Sequence, residues 1–83
     1  MRRLVLYGRP ECHLCDEARE IVLKLAAEAG DIELIELNID EDERLHREYL
    51  ERIPVIELEG RVIGELIPDP VALRSSLLNP SAR

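Results

Sequence analysis

Tryptophan and phenylalanine are absent from this 83-residue sequence, and Tyr7 and Tyr49 are its only aromatic residues. Its core must therefore be aliphatic, built from Leu, Ile, Val and Ala. Cysteine is scarce: there are two, Cys12 and Cys15. No second pair is present to complete an ordinary zinc site, whose four ligands usually come from two separated pairs. Positive charge is in deficit, with 18 acidic against 11 basic residues and a net charge of −7. That argues against non-specific nucleic-acid binding, which needs cations to displace condensed counterions, and against an anionic membrane surface. No apolar run approaches the length of a membrane span, and the one in "MRRLVLYGRP" is too short for a signal peptide. A cytoplasmic location is expected, where a close cysteine pair does not persist as a structural staple. Repeats, low-complexity tracts and linkers are missing as well. Together with 46% hydrophobic and 35% charged residues, this predicts a single folded domain over residues 1–83.

What is present reads as alternating short strands and helices. "RLVLY" (3–7) is a near-continuous apolar run bounded by Gly8 and Pro10, the pattern of a buried central strand. Leu14, Ala18, Ile21, Val22, Leu25, Ala26 and Ala29 then recur at helical spacing, with Gly30 placed as a C-terminal cap and Glu20–Lys24 as an outer-face pair. A second strand is predicted over 32–39, with Glu33 and Glu36 marking it as an edge strand. Asp40 and Glu43 have the spacing of a capping box for a helix with Leu45, Tyr49 and Leu50 inside. "IPVIELEGRVIGEL" reads as strands 55–58 and 61–66 joined at Glu59-Gly60. Asp69-Pro70 starts a last helix carrying Val71, Leu73, Leu77 and Leu78 and stopped by Pro80. The order β-α-β-α-β-β-α predicts a four-stranded mixed sheet with helices on both faces. It sets the cysteines where the first strand passes into the first helix, the carboxyl end of a strand, where sites form in open α/β sheets.

That position assigns unequal roles to the two sulfurs. Cys12 stands at the helix start, where its sulfur can accept from the free N–H groups of Leu14 and Cys15 and lies at the positive end of the helix dipole. Arg9 adds a nearby cation, while Glu11 and Asp16 oppose it, so a moderate preference for the thiolate is expected. Cys15 lies one turn on, about 5–6 Å away and within disulfide reach. Cys12 is thus the exposed attacking thiolate and Cys15 the more buried resolving thiol. The alternatives are metal binding by Cys12, His13 and Cys15, and plain packing of two small apolar side chains. The polar turn Gly-Arg-Pro-Glu before Cys12 disfavours packing, and His46, the other histidine, has no ligand partner beside it. His13 either stabilises the thiolate when protonated or is a solvent-exposed helix-start residue. Ile53-Pro54 reads as a simple strand start or as a cis peptide.

"YGRPECHLC" resembles the Tyr-Ser-Lys-Pro-x-Cys-x-x-Cys segment of glutaredoxins, with Gly8 for Ser and Arg9 for Lys. "RIPVIELEGRVIG" resembles their Thr-Val-Pro, strand, turn, strand and glycine stretch. The whole chain is similar to the glutaredoxin-like branch of the thioredoxin-fold superfamily, and its Cys-His-Leu-Cys version resembles a compact subgroup of it. The resemblance implies a dithiol–disulfide oxidoreductase acting on protein or glutathione disulfides, with Cys12 as nucleophile and Cys15 resolving. It implies a cis Pro54 facing the disulfide, a backbone at Ile53 that pairs with an extended substrate strand, and Arg9 contacting a glutathione or peptide carboxylate. Gly64 matches the first glycine of the glutathione-binding pair. Glu65 replaces the second and repels an anionic ligand, "LIP" follows in place of polar residues, and Arg52 stands where a threonine is usual and offers a compensating positive charge. No cofactor is expected beyond the Cys12–Cys15 disulfide, with glutathione as a possible co-substrate. The expected partners are protein disulfides or glutathione, and a reductase or glutathione as electron donor. No nucleic acid or membrane partner and a monomeric state are expected. A metal-handling module using Cys12 and Cys15, or a non-catalytic interaction module of the same fold, are the competing functions.

Overall fold

The computed structural model describes residues 1–78. Its elements are β1 (Arg2–Gly8), α1 (His13–Ala29), β2 (Ile32–Asn38), a 3-10 turn (Ile39–Glu41), α2 (Glu43–Tyr49), β3 (Val55–Leu58), β4 (Arg61–Glu65) and α3 (Pro70–Leu78). The four strands form one sheet in the order β2-β1-β3-β4. β1 is parallel to β2 and antiparallel to β3, and β3 and β4 form an antiparallel hairpin. The predicted order is found, with β1 central and β2 at an edge.

Alternation along β1 divides the core in two, because successive side chains point to opposite faces. Leu4 and Leu6 of β1 and Ile56 of β3 meet Ala18, Val22 and Leu25 of α1 and Leu73 and Leu77 of α3 on one face. Tyr7, Val55 and Ile39 pack on the other with Leu45 and Tyr49 of α2 and Ile53. Each fully buried aliphatic side chain contributes roughly 1.5–3 kcal/mol relative to exposure, so the α1–α3 face holds most of the stabilisation. Local signals set the element ends. Gly30 takes φ 81° and its N–H bonds Ala26 O, closing α1. Glu59 and Gly60 have φ 51° and 84°, the left-handed pair that a two-residue type I′ hairpin turn requires. Asp69 Oδ1 accepts from the N–H groups of Val71 and Ala72 at 3.0 and 3.3 Å, capping α3.

Several details differ from expectation. Leu14 and Leu50, expected on the inner faces of their helices, are both exposed: Cys15 takes the inward position beside Leu14, about 100° round the helix, and Leu50 is the C-cap of α2, past its last turn. The second strand ends at Asn38, one residue before the expected Ile39. The Asp40–Glu43 capping box does not form. Ile39–Glu41 makes its own turn, with Asn38 Oδ1 accepting from Asp40 N–H, so α2 starts later and Asp42 caps it through the N–H groups of Arg44 and Leu45. Val71 is 78% exposed, because a position two residues before Leu73 is rotated about 200° from it on a helix. Among the described residues, the i,i+4 ion pair on α1 is His13–Glu17 rather than Glu20–Lys24. β4 ends at Glu65, one residue before the expected Leu66, whose φ of 65° turns the chain out of the sheet. The expected stop at Pro80 lies outside the described residues.

The short helix α2 has no fully buried residue, and the two tyrosines fasten it to the sheet. Their rings stack with centroids 4.4 Å apart. Their hydroxyls both donate to the Glu57 carboxylate on β3, at 3.0 Å from Tyr7 and 3.3 Å from Tyr49. Burial first, then the bond to Glu57 and its charge, push the Tyr7 phenol far above its ordinary range. Tyr49 is raised by burial and then by the Glu57 charge. A raised folded-state pKa means that the unfolded chain loses its proton first. The contribution is complete below about pH 10, the unfolded value, and is lost as pH rises from there through the higher folded values. An alkaline absorbance titration reads these two groups without tryptophan background. Phenolate should appear together with unfolding, and Glu57→Gln should bring it to lower pH. Ordinary titration near pH 10 in the folded protein would refute the clamp.

Candidate functional site

β1 delivers the chain to the site through the turn Gly8-Arg9-Pro10-Glu11. Glu11 takes φ 59°, a left-handed conformation uncommon outside glycine, and this reverses the chain so that Cys12 becomes the N-cap of α1. The sulfur of Cys12 accepts from Cys15 N–H at 3.2 Å, and its carbonyl accepts the first helical bond, from Asp16 N–H at 3.0 Å. Of the two N–H groups expected to reach the sulfur, Cys15 supplies the bond. The two sulfurs lie at disulfide distance, with Cα atoms 5.2 Å apart. Cys12 is partly exposed, while Cys15 is 5% exposed and faces the core. The pair therefore has one accessible and one sheltered sulfur.

Strand register carries the site across the end of the sheet. A Cβ built on Gly8 would stand 3.2 Å from both Cβ and Sγ of Cys15, so the absent side chain lets α1 approach β1 here. Tyr7 pairs with Val55, which sets the preceding residue, Pro54, beside Gly8. The Ile53–Pro54 peptide is cis and Pro54 is fully buried. Val55 pairs with Glu65, so Leu66 follows beside Pro54. Leu66 N–H is shared between Pro54 O at 3.0 Å and Arg52 O at 3.1 Å, which holds the Leu66 turn to the loop before β3. Cysteines, Gly8, Pro54 and Leu66 thus form one row.

The other singled-out residues have partners within the chain. Arg9 Nε bonds Asp40 Oδ2 at 3.2 Å, with His46 on the other oxygen at 3.7 Å. Arg52 pairs with Glu48 at 3.0 Å and Glu65 at 2.9 Å, and its guanidinium lies over the Tyr49 ring at 5.1 Å. Ile53 N–H donates to Tyr49 O at 3.0 Å. His13 is in solvent, its side chain 88% exposed and 3.1 Å from Glu17. Gly64 faces α3, where an added Cβ would meet Leu73 at 3.3 Å. On the β2 side of Cys15, a depression of about 240 Å³ is lined in part by Arg9, Asp16, Arg19 and Glu36. Among the described residues, no group of three or more His, Cys, Asp or Glu is placed to hold a metal ion, and no helix is long and apolar enough to cross a membrane.

Sequence reasoning missed Gly8, Glu48 and Asp40 as neighbours of the site. Glu48–Arg52 was within reach, because its i,i+4 spacing signals a helical ion pair. The Asp40–Arg9 and Gly8–Cys15 contacts depend on tertiary docking and leave no local pattern.

A family model described as glutaredoxin-like domain (DUF836) matches residues 3–74. No curated protein matches the chain. Among solved structures, protein Ne2328 from Nitrosomonas europaea is 35% identical, with 92% of this chain and 91% of that one covered and a TM-score of 0.74. Protein XcR50 from X. campestris is 32% identical over 96% and 99% of the two chains, with a TM-score of 0.68. Oxidised mitochondrial thioredoxin 3 from Saccharomyces cerevisiae shares the fold at 21% identity, with 94% and 77% covered and a TM-score of 0.71.

The Gly8–Cys15 contact is open to a direct test. Gly8→Ala places a methyl group 3.2 Å from Cβ and Sγ of Cys15, tighter than ordinary van der Waals contact, and such overpacking costs about 1–3 kcal/mol. Chemical denaturation should show a loss in that range. An unchanged midpoint would mean that Cys15 does not depend on this close approach.

Proposed function

Because the chain belongs to the glutaredoxin-like domain (DUF836) family, we propose that it is a dithiol–disulfide oxidoreductase with Cys12 as nucleophile and Cys15 as resolving thiol. The observation that carries this reading is the N-cap bond: the partly exposed Cys12 sulfur accepts a backbone N–H at the start of a helix, with a sheltered partner sulfur in bonding reach.

In the reduced protein, that N–H and the positive helix end favour the Cys12 thiolate. The thiolate attacks one sulfur of a substrate disulfide. A Cys12–substrate disulfide forms, the substrate S–S bond breaks, and the other substrate sulfur leaves as a thiolate that takes up a proton. Cys15 then loses its proton and attacks Cys12 Sγ, releasing the second substrate thiol and closing the Cys12–Cys15 disulfide. The substrate gains two electrons and the protein loses two, and an external dithiol or two monothiol equivalents restores the reduced pair. Burial of Cys15 limits its attack to the neighbouring sulfur. The row at the sheet end offers a substrate chain a place beside Pro54, with the Ile53 carbonyl as the backbone group available for pairing, since its N–H is bonded to Tyr49.

Cys15→Ser should accumulate a mixed disulfide at Cys12 when mixed with a disulfide substrate, detected as the substrate mass added to the intact protein and lost on reduction. Cys12→Ser should accumulate none and should lose turnover by orders of magnitude. Turnover by Cys12→Ser equal to that of the unaltered protein would sink the assignment.

A further inference from the structure

The far end of the catalytic row has an unusual surface for its position. Glu48, Arg52 and Glu65 form a cluster of two carboxylates around one guanidinium, with contacts of 3.0 and 2.9 Å, so it carries a net negative charge. The strand end then turns, and Leu66 and Ile67 are exposed, Ile67 by 76%, with Val71 on the first turn of α3 exposed beyond them. Leu66 stands beside Pro54 and two strand positions from Gly8, roughly 10 Å away at ordinary strand spacing. This ridge is held in place: its turn has a positive φ at a non-glycine residue, and the Leu66 N–H is fixed by two carbonyls of the loop before β3. Non-glycine residues in that conformation persist only where surrounding structure over-determines them, and they cluster at sites that bind.

We propose that the Glu48–Arg52–Glu65 cluster and the Leu66–Ile67–Val71 ridge select an apolar, lysine- or arginine-bearing protein segment as the disulfide substrate and turn glutathione away. This inference rests on the exchange reading above and names the substrate class of that site. Glutathione carries two carboxylates and one ammonium group and has a net negative charge. The guanidinium best placed to receive a carboxylate is already bonded to two, and a third would meet like charge. Arg9, the other cation of the catalytic turn, is likewise bonded to Asp40. Glutathione also has no apolar side chain to cover Ile67 and Val71. A protein segment beside Pro54 can lay an apolar residue on the ridge while a neighbouring lysine or arginine meets Glu48 and Glu65. The chain's net charge of −7 favours the same partner during encounter.

The test uses the Cys15→Ser protein, in which mixed-disulfide formation at Cys12 is a single step. Two probes carry the same chromogenic thiol as leaving group: glutathione, and a short peptide with leucine and lysine flanking its cysteine. At low salt the second-order rate constant for the peptide should exceed that for glutathione by roughly tenfold or more, and the ratio should shrink at high salt as the charges are screened. Adding Glu48→Gln and Glu65→Gln should raise the glutathione constant and lower the peptide constant. Adding Ile67→Ser should lower the peptide constant alone. Glutathione reacting as fast as the peptide, or a ratio unmoved by the Glu48→Gln and Glu65→Gln pair, would overturn the inference while leaving exchange intact. Failure of both probes to form any mixed disulfide would overturn the exchange reading as well.

Discussion

A sulfur occupies the position where a helix usually takes a hydroxyl or a carboxylate as its cap. Cys12 Sγ accepts from Cys15 N–H, and the rest of the site follows from that bond. It requires the chain to leave β1 and turn sharply, which Glu11 does at positive φ. It requires α1 to lie close enough to β1 that Cys15 rests on Gly8. It also fixes which sulfur meets solvent, because the helix runs inward from Cys12 and the next turn is buried under the sheet. The central, apolar β1 supplies the fixed base for this, bonded on both sides by β2 and β3. Cys12 Sγ therefore sits at a helix end with its backbone donor already in place.

Electrostatics shape the surroundings more than they hold the fold together. The ion pairs Arg2–Asp31, Arg9–Asp40, Arg19–Glu36, Arg52–Glu65 and Arg74–Glu28 join residues distant in sequence. They lie mainly at the surface, where each contributes at most about 1 kcal/mol. Their stronger effect is on the potential that a ligand meets. In a chain with more acids than bases, pairing the arginines beside the site leaves little unbalanced positive charge there. Arg9, to which the resemblance gave a carboxylate contact, and Arg52, which departs from the family pattern and offers a compensating charge, both have carboxylate partners.

The architecture was legible because its signals are local or periodic. Alternation in β1, helical spacing from Ala18 to Leu25, Glu59-Gly60 and Asp69-Pro70 each specify one geometry, and each is found. The errors arose where two local solutions competed. Asp40 and Asp42 can both start a helix, and the intervening turn at Ile39, with Asn38 as its own cap, decides for Asp42. Val71 reads as a core residue by composition, yet the phase of α3 is set by Leu73 and Leu77. At the site, the unequal placement of the two sulfurs could be inferred from helix direction. The pairings of Arg9 and Arg52 could not, because they depend on how α2 and its preceding turn dock against the sheet.

That docking gives the scarce aromatics their importance. An aliphatic core suits the face covered by α1 and α3, where two helices share the burial. The opposite face has only the seven-residue α2, too short to bury enough aliphatic surface. There Tyr7 and Tyr49 combine ring stacking with hydroxyl bonds to Glu57, giving directional contacts where area is limited. Tyr49 also joins this clamp to the loop before β3. Its carbonyl accepts from both Arg52 and Ile53 N–H groups, and its ring lies beneath the Arg52 guanidinium. Tyr7 stands on β1 directly before Gly8, the residue against which Cys15 packs. The stacked pair thus ties α2 and the loop that carries Pro54 to β1, the strand that leads into the cysteine turn. A loosened α2 would disturb the Arg52–Pro54 loop before it disturbed the sulfur pair, which rests on the other face.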